Sequence, residues 1–180
     1  MNLLDFLLFI FFRHSSVKGE VKESEIIEDY VKNQLGKQIK HVKADGHCMI
    51  HAFSLGLQEK DGLAEYSEEL LLTKIEKELS DNRQLYSGFD DINDEDLKAY
   101  IKDKKYNSSV VDLIPLVVAN ITNTIISILE VQNGQVKPTK ISPDKEERSI
   151  YVYKIDDHYD AILELDETAS GLKTEGKPIW

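Results

Sequence analysis

Three observations predict an α+β domain in which helices cover a small sheet. Apolar residues recur at helical spacing through the first two thirds of the chain. The last third is dominated by β-branched and aromatic runs, bounded by Asn133-Gly134, Pro138 and Pro143. The length of 180 residues, with 41% hydrophobic and 31% charged, fits one soluble domain able to bury its own core, and neither repeats nor low-complexity tracts interrupt it. Helices first and strands last is the segregated order of an α+β fold.

The first predicted helix is Ser24 to Leu35: Ser24 caps, Ile27, Tyr30, Val31 and Leu35 share a face, and Gly36 ends it in a left-handed conformation. Lys37 to Lys43 alternates weakly and leads into Ala44-Asp45-Gly46-His47-Cys48, a turn from which a helix carrying Ile50, Phe53 and Leu57 begins. Ser67 to Leu79 repeats Leu71, Ile75 and Leu79 every fourth residue. Asn93 is placed to cap a short helix through Leu97, Tyr100 and Ile101. Ser109-x-x-Asp112 reads as a capping box with Asp in the acidic position, and Pro115 comes too late for a first-turn proline, so a kink or a later helix start is expected there. Strands are expected at Ile121 to Val131, Ser149 to Ile155 and His158 to Leu165.

Charge and cysteine content exclude several classes. With 22 Lys+Arg against 33 Asp+Glu the formal net charge is −11, which repels phosphate backbones and excludes nucleic acid as the expected partner. One cysteine forms no internal disulfide and no structural zinc finger, which points to a reducing compartment, cytoplasmic or nuclear. The apolar run Leu3 to Phe12 is interrupted by Asp5 and is about half the roughly 20 residues a bilayer span needs. Arg13 and His14 follow that run, where a cleaved signal would have basic residues before it. Residues 1–20 are therefore expected to be an apolar segment that packs on the domain or at an interface, residues 21–168 the domain, and residues 169–180 a tail.

Cys48 is the chain's one thiol, and the start of a helix favours a thiolate because unpaired N–H groups and aligned peptide dipoles stabilise negative charge. Gly46 removes Cβ hindrance from the turn, so the amides around Gly46, His47 and Cys48 could face a developing oxyanion. On position alone Cys48 reads first as a small buried hydrophobe. At the other end of the chain His158 opens a predicted strand with Asp160 two residues on, on the same face, where a carboxylate can orient an imidazole. The same His158 reads equally as a surface histidine at a hairpin mouth beside Asp156 and Asp157.

Taken together, Asp45-Gly46-His47-Cys48 entering a helix and His158-Tyr159-Asp160 entering a late strand resemble the ovarian-tumour (OTU) family of papain-like cysteine proteases, most of which are deubiquitinases. Ala44 to Phe53, and Asp112-Leu113-Ile114-Pro115 with Ala119, extend the likeness, which covers roughly Ile39 to Leu165. The resemblance implies a papain-like fold with a mostly antiparallel sheet, and hydrolysis of isopeptide or peptide bonds after the Gly-Gly tail of ubiquitin, polyubiquitin or a ubiquitin-like modifier, without a metal or other cofactor. It implies Cys48 as nucleophile, His158 as base then acid, Asp160 as orienting acid, and Asp45 as the residue that holds the oxyanion turn of Asp45, Gly46, His47 and Cys48. Tyr159 would help wall the channel for the Gly-Gly tail. Ile50 stands where the family often has Phe, which changes the pocket floor.

Two other readings stay open. His47 and His51 stand four residues apart around Cys48, with His41 upstream, a spacing that could hold a metal; but no glutamate lies between the histidines and no second cysteine closes the set. A domain of the same fold could also bind ubiquitin without cleaving it.

Overall fold

The computed structural model describes residues 22–61, 66–89, 93–143 and 148–165. The run Leu3 to Phe12 and the segments 1–20 and 169–180 lie outside the described residues. Helix α1 (Glu23–Asn33) buries Ile27 and Val31 and starts ahead of the expected cap: its N-cap is Lys22, whose side chain makes no capping bond. Gly36, at φ 62°, makes the left-handed turn into β1 (Lys37–Lys40). The turn through residues 41–47 delivers α2 (Cys48–Asp61), whose Met49, Ile50, Ala52, Phe53 and Leu57 are all 0–1% exposed. A helix buried on nearly every side is a central core element, and α2 is more than the one-faced helix its periodicity predicts.

Helix α3 (Glu68–Asp81) buries Leu71, Ile75 and Leu79, as its spacing predicts, and is capped by Ser67, whose side chain accepts from the Leu70 amide. A short 3-10 stretch (Arg83–Phe89) leads on to α4 (Asp94–Asp103), which is capped by Asn93 through a 2.8 Å bond from the Asp96 amide. Helix α5 (Ser108–Thr122) corrects two expectations. Its cap is Asn107, whose side chain accepts from the Val110 amide, so the Ser109–Asp112 box is unused. The helix starts ahead of Pro115 and continues through it, so the later start does not occur. The missing N–H and ring clash cost about 3 kcal/mol, and complete burial of Leu113, Ile114, Val117 and Val118 around the proline outweighs them.

Ile121 and Thr122 belong to α5 and not to a strand. Thr122 Oγ1 bonds back to the Val118 carbonyl at 2.7 Å, and Asn123 at φ 50° ends the helix. Strands β2 (Thr124–Gln132), β3 (Gln135–Ile141), β4 (Arg148–Ile155) and β5 (His158–Glu164) follow. They form a five-stranded sheet in the order β1-β5-β4-β2-β3, antiparallel except for the β2–β4 pair.

Side-chain alternation along the strands sends residues to opposite faces. Ile126, Ile128, Ile150, Val152, Tyr159 and Ala161 join the main core with α2, α3 and α5, while Leu129, Tyr153 and Ile162 pack with Ile27 and Val31 of α1. The sheet is therefore covered on both faces, which explains why β2, β4 and β5 bury consecutive residues. Among the described residues no helix is long and apolar enough to cross a membrane.

Two features position the site. β1 pairs with β5 in the register Lys40↔Ala161, so the turn leaving β1 begins beside Asp160. The tight β4–β5 turn, Asp156-Asp157, with Asp156 at φ 53°, places His158 at the first ladder pair, opposite Ile155. The turn before Cys48 is packed against the end of α4, where Lys104 adopts φ 53°. A Cβ on Gly46 would lie 1.7 Å from the Lys104 carbonyl oxygen and 2.7 Å from its carbon. Gly46 is thus required by a close backbone approach and not by a left-handed φ. Because both colliding groups are backbone, Gly46→Ala should destabilise the domain by about 1–3 kcal/mol. A urea denaturation midpoint equal to that of the unsubstituted protein would contradict this packing.

Candidate active site

Cys48 opens α2 and is 5% exposed. Its Sγ lies at the base of a cleft of about 670 Å³ whose walls include His41, Asp45, Gly46, Tyr106, Tyr153, Asp157, His158 and Asp160. The thiol is bonded to the carbonyl oxygen of Asp157 at 3.7 Å, one residue before His158, rather than to the imidazole. Burial raises the thiol's pKa, with the charges of Asp45 and Asp160 acting in the same direction, and the backbone N–H groups of Tyr159 and Met49 only partly offset this. The helix start therefore does not hold a preformed thiolate at rest, and the nucleophile must lose its proton to a neighbouring base.

His158 and Asp160 share one face of β5, as the period of two requires. His158 Nε2 lies 3.1 Å from Asp160 Oδ1, with the His158 side chain 35% exposed and that of Asp160 2%. Asp160 receives three further contacts: the Val42 amide donates to Oδ1 at 2.7 Å, the Tyr153 hydroxyl donates to Oδ2 at 2.9 Å, and His41 Nδ1 lies 2.8 Å from Oδ2. Burial pushes this carboxyl's pKa up, but His41, the Val42 amide and Tyr153 together bring it below the usual carboxylate value, so it is ionised and each facing imidazole donates an N–H to it. With Nε2–H of His158 given to Asp160, Nδ1 is left as the basic nitrogen.

Asp45 anchors the turn. Its Oδ1 accepts from the His47 amide and from His51 Nε2, each at 2.9 Å, and its Oδ2 faces Lys104 at 3.2 Å and Lys43 at 3.5 Å. Burial opposes ionisation, yet the His47 amide, Lys104 and His51 hold the Asp45 carboxyl well below its ordinary range. The Cys48 amide in turn bonds to the Asp45 carbonyl at 3.1 Å. Two of the amides expected to face an oxyanion, those of His47 and Cys48, are thus engaged by Asp45 in this resting arrangement.

The two histidines flanking Cys48 turn to separate partners. His47, 2% exposed, donates from Nε2 to the Tyr100 carbonyl at 2.5 Å, and burial lowers its pKa, so it is a neutral strut between the turn and α4. His51 sits between Asp45 and Glu68: its Nδ1 is 2.8 Å from Glu68 Oε1, an ion-pair distance without hydrogen-bond geometry. Neither ring converges with Cys48 on a common point. Among the described residues no group of three or more His, Cys, Asp and Glu side chains is arranged to hold a metal.

Tyr159 is not in the lining of the cleft. It is 3% exposed, lies in the main core and borders a separate pocket between α5 and strands β2 to β4, because as the neighbour of His158 in a strand it must face the other way. The aromatic walls are Tyr153 and Tyr106, whose hydroxyl donates to Asp157 Oδ1 at 2.8 Å. Burial and then Asp157 push the Tyr106 hydroxyl up to about 12. Ile50 is fully buried, under the cleft rather than in its wall. Sequence reading missed Tyr106, Tyr153 and the Val42 amide. It noticed His41 only as a metal candidate, although a continued β1–β5 register places His41 opposite Asp160.

No protein-family model and no curated protein matches the sequence. Among solved structures, the chain is similar to the OTU domain of OTUD1, at 19% identity and a TM-score of 0.60 over 79% of this chain and 95% of that one. The helices on a mostly antiparallel sheet thus form a known architecture: this chain has the OTU-domain fold.

Proposed function

We propose that the protein is a thiol-dependent peptidase that hydrolyses the isopeptide or peptide bond after the Gly-Gly tail of ubiquitin or a ubiquitin-like modifier. The observation that carries the reading is one cleft holding the chain's only thiol, at a helix start, together with an imidazole oriented by a buried carboxylate. In this mechanism His158 Nδ1 takes the Cys48 proton, and the thiolate attacks the carbonyl carbon of the terminal glycine. The resulting imidazolium protonates the leaving amine as the C–N bond breaks, giving a thioester. Water, deprotonated by the same imidazole, then attacks the thioester and releases the carboxylate and the free thiol.

The arrangement is a resting one. For attack, the thiol's bond must pass from the Asp157 carbonyl to His158, the next residue of the same hairpin. Catalytic hydrogen bonds commonly tighten only once substrate is bound. An oxyanion on the scissile carbonyl would be met by the Gly46–Cys48 turn, which Asp45 holds in place through the His47 amide, His51 and Lys104. A glycine pair suits the cleft, because a Cβ-free tail takes least room beside the hydrogen-bonded Tyr106 and Asp157 that help line it. A thiol that works in reduced form fits a cytoplasmic or nuclear setting.

The raised thiol pKa and the engaged amides favour one second reading, a domain that binds ubiquitin without cleaving it. Hydrolysis of a fluorogenic amide of the ubiquitin C-terminus separates the two. The unsubstituted protein should turn over, whereas Cys48→Ala should lose all activity with its melting temperature and ubiquitin affinity unchanged. Equal cleavage by Cys48→Ala would exclude the peptidase, and no turnover by the unsubstituted protein with retained ubiquitin binding would establish the second reading.

Asp160→Asn is expected to lower kcat roughly tenfold, about the loss of one charge-assisted hydrogen bond. The Val42 amide can only donate, so the Asn carbonyl must keep the Oδ1 position and still orient His158. An unchanged kcat would move the orienting role to another group.

A further inference from the structure

We propose that His41 is a positioning residue of the same site: by donating from Nδ1 to Asp160 Oδ2 it fixes the carboxylate plane and so the direction in which Oδ1 presents itself to His158. The inference deepens the function proposed above and rests on it. Four polar groups surround this carboxylate, and they divide by origin. Tyr153 and His158 belong to the hairpin that carries Asp160, whereas His41 and the Val42 amide come from the segment that runs on to Cys48. A carboxylate held at Oδ1 alone could swing about its χ2 torsion, which is soft for an sp³–sp² bond. The pair of bonds at Oδ2 removes that freedom, and the His41 bond also ties the acid to the nucleophile's turn.

His41 contributes little else. Its side chain is 73% exposed and joins neither apolar cluster, so truncation opens no cavity and leaves Asp160 to water at one position. The contact is also geometrically specific. In Asn the amide nitrogen stands the same number of bonds from Cα as Nδ1 does in His, whereas in Gln it stands one bond further. Nitrogen position, not charge, should therefore decide function.

The test compares His41→Ala, His41→Asn and His41→Gln with the unsubstituted protein in two assays. With the fluorogenic ubiquitin amide, Ala and Gln should lower kcat roughly three- to tenfold at unchanged KM, the size expected for one partly exposed hydrogen bond, and Asn should restore it. The second assay needs no ubiquitin: the rate of Cys48 alkylation by iodoacetamide at pH 6, where an isolated thiol is almost wholly protonated, should fall in the same order. Melting temperatures should stay within about 2 °C throughout, as for surface substitutions. Wild-type kcat and alkylation in His41→Ala would overturn the proposal. A loss shared equally by Ala, Asn and Gln, with lowered melting temperatures, would overturn it in favour of a structural role. If no ubiquitin substrate is cleaved but alkylation still follows the Ala, Gln and Asn order, the positioning role stands and only the peptidase reading fails.

Discussion

The site depends on the pairing of β1 with β5, which brings together backbone segments that the chain encodes at opposite ends. His41 and Asp160 are 119 positions apart, yet the continued register sets them side by side. A buried, unpaired carboxylate costs several kcal/mol, and Asp160 avoids that cost by receiving N–H and O–H groups from both ends of the chain. The sheet edge and the acid are thus one arrangement: without β1, Asp160 would lose the Val42 amide and the His41 ring together, and the turn before Cys48 would lose its fixed starting point.

The same economy of contacts governs the nucleophile. Burial holds the thiol in its protonated form, so reactivity depends on proton transfer to a well-oriented imidazole rather than on a thiolate ready at rest. Asp45 contributes in the opposite sense. It is strongly ionised, engages the His47 amide and faces Lys43, Lys104 and His51, so the turn is rigid, and Gly46 lets that turn lie directly against the end of α4. The nucleophile at the start of α2 and the half-buried His158 at the start of β5 are thus held by regular elements, with only the turn between β1 and α2 left to be fixed by Asp45 and Gly46.

Much of this was legible in the residues, for identifiable reasons. Local signals read well: the spacing of Leu71, Ile75 and Leu79, the cap Asn93, and the left-handed Gly36 each act within one helical turn or its end. Signals that depend on packing did not. Pro115 and the pair Ile121-Thr122 point away from helix by propensity, and the burial of α5 overrides both. The motif around Cys48 and the His158–Asp160 spacing marked the site because each is local. What ties them together is a strand register across the chain, and no local pattern in KQIKHVK announces that His41 faces a carboxylate. The channel-wall role that the resemblance implied for Tyr159 is not met, because alternation along a strand turns it away from His158 and into the core.

In the proposed mechanism His158 activates Cys48 at the end of a ubiquitin tail. The most direct measurement is intact-mass and peptide mapping after incubation with ubiquitin whose C-terminal carboxylate is replaced by a thiol-reactive electrophile. One covalent adduct per chain, on Cys48, is expected with the native protein and none with His158→Ala. No adduct on the folded protein, or an adduct that forms as fast without the His158 imidazole, would contradict it.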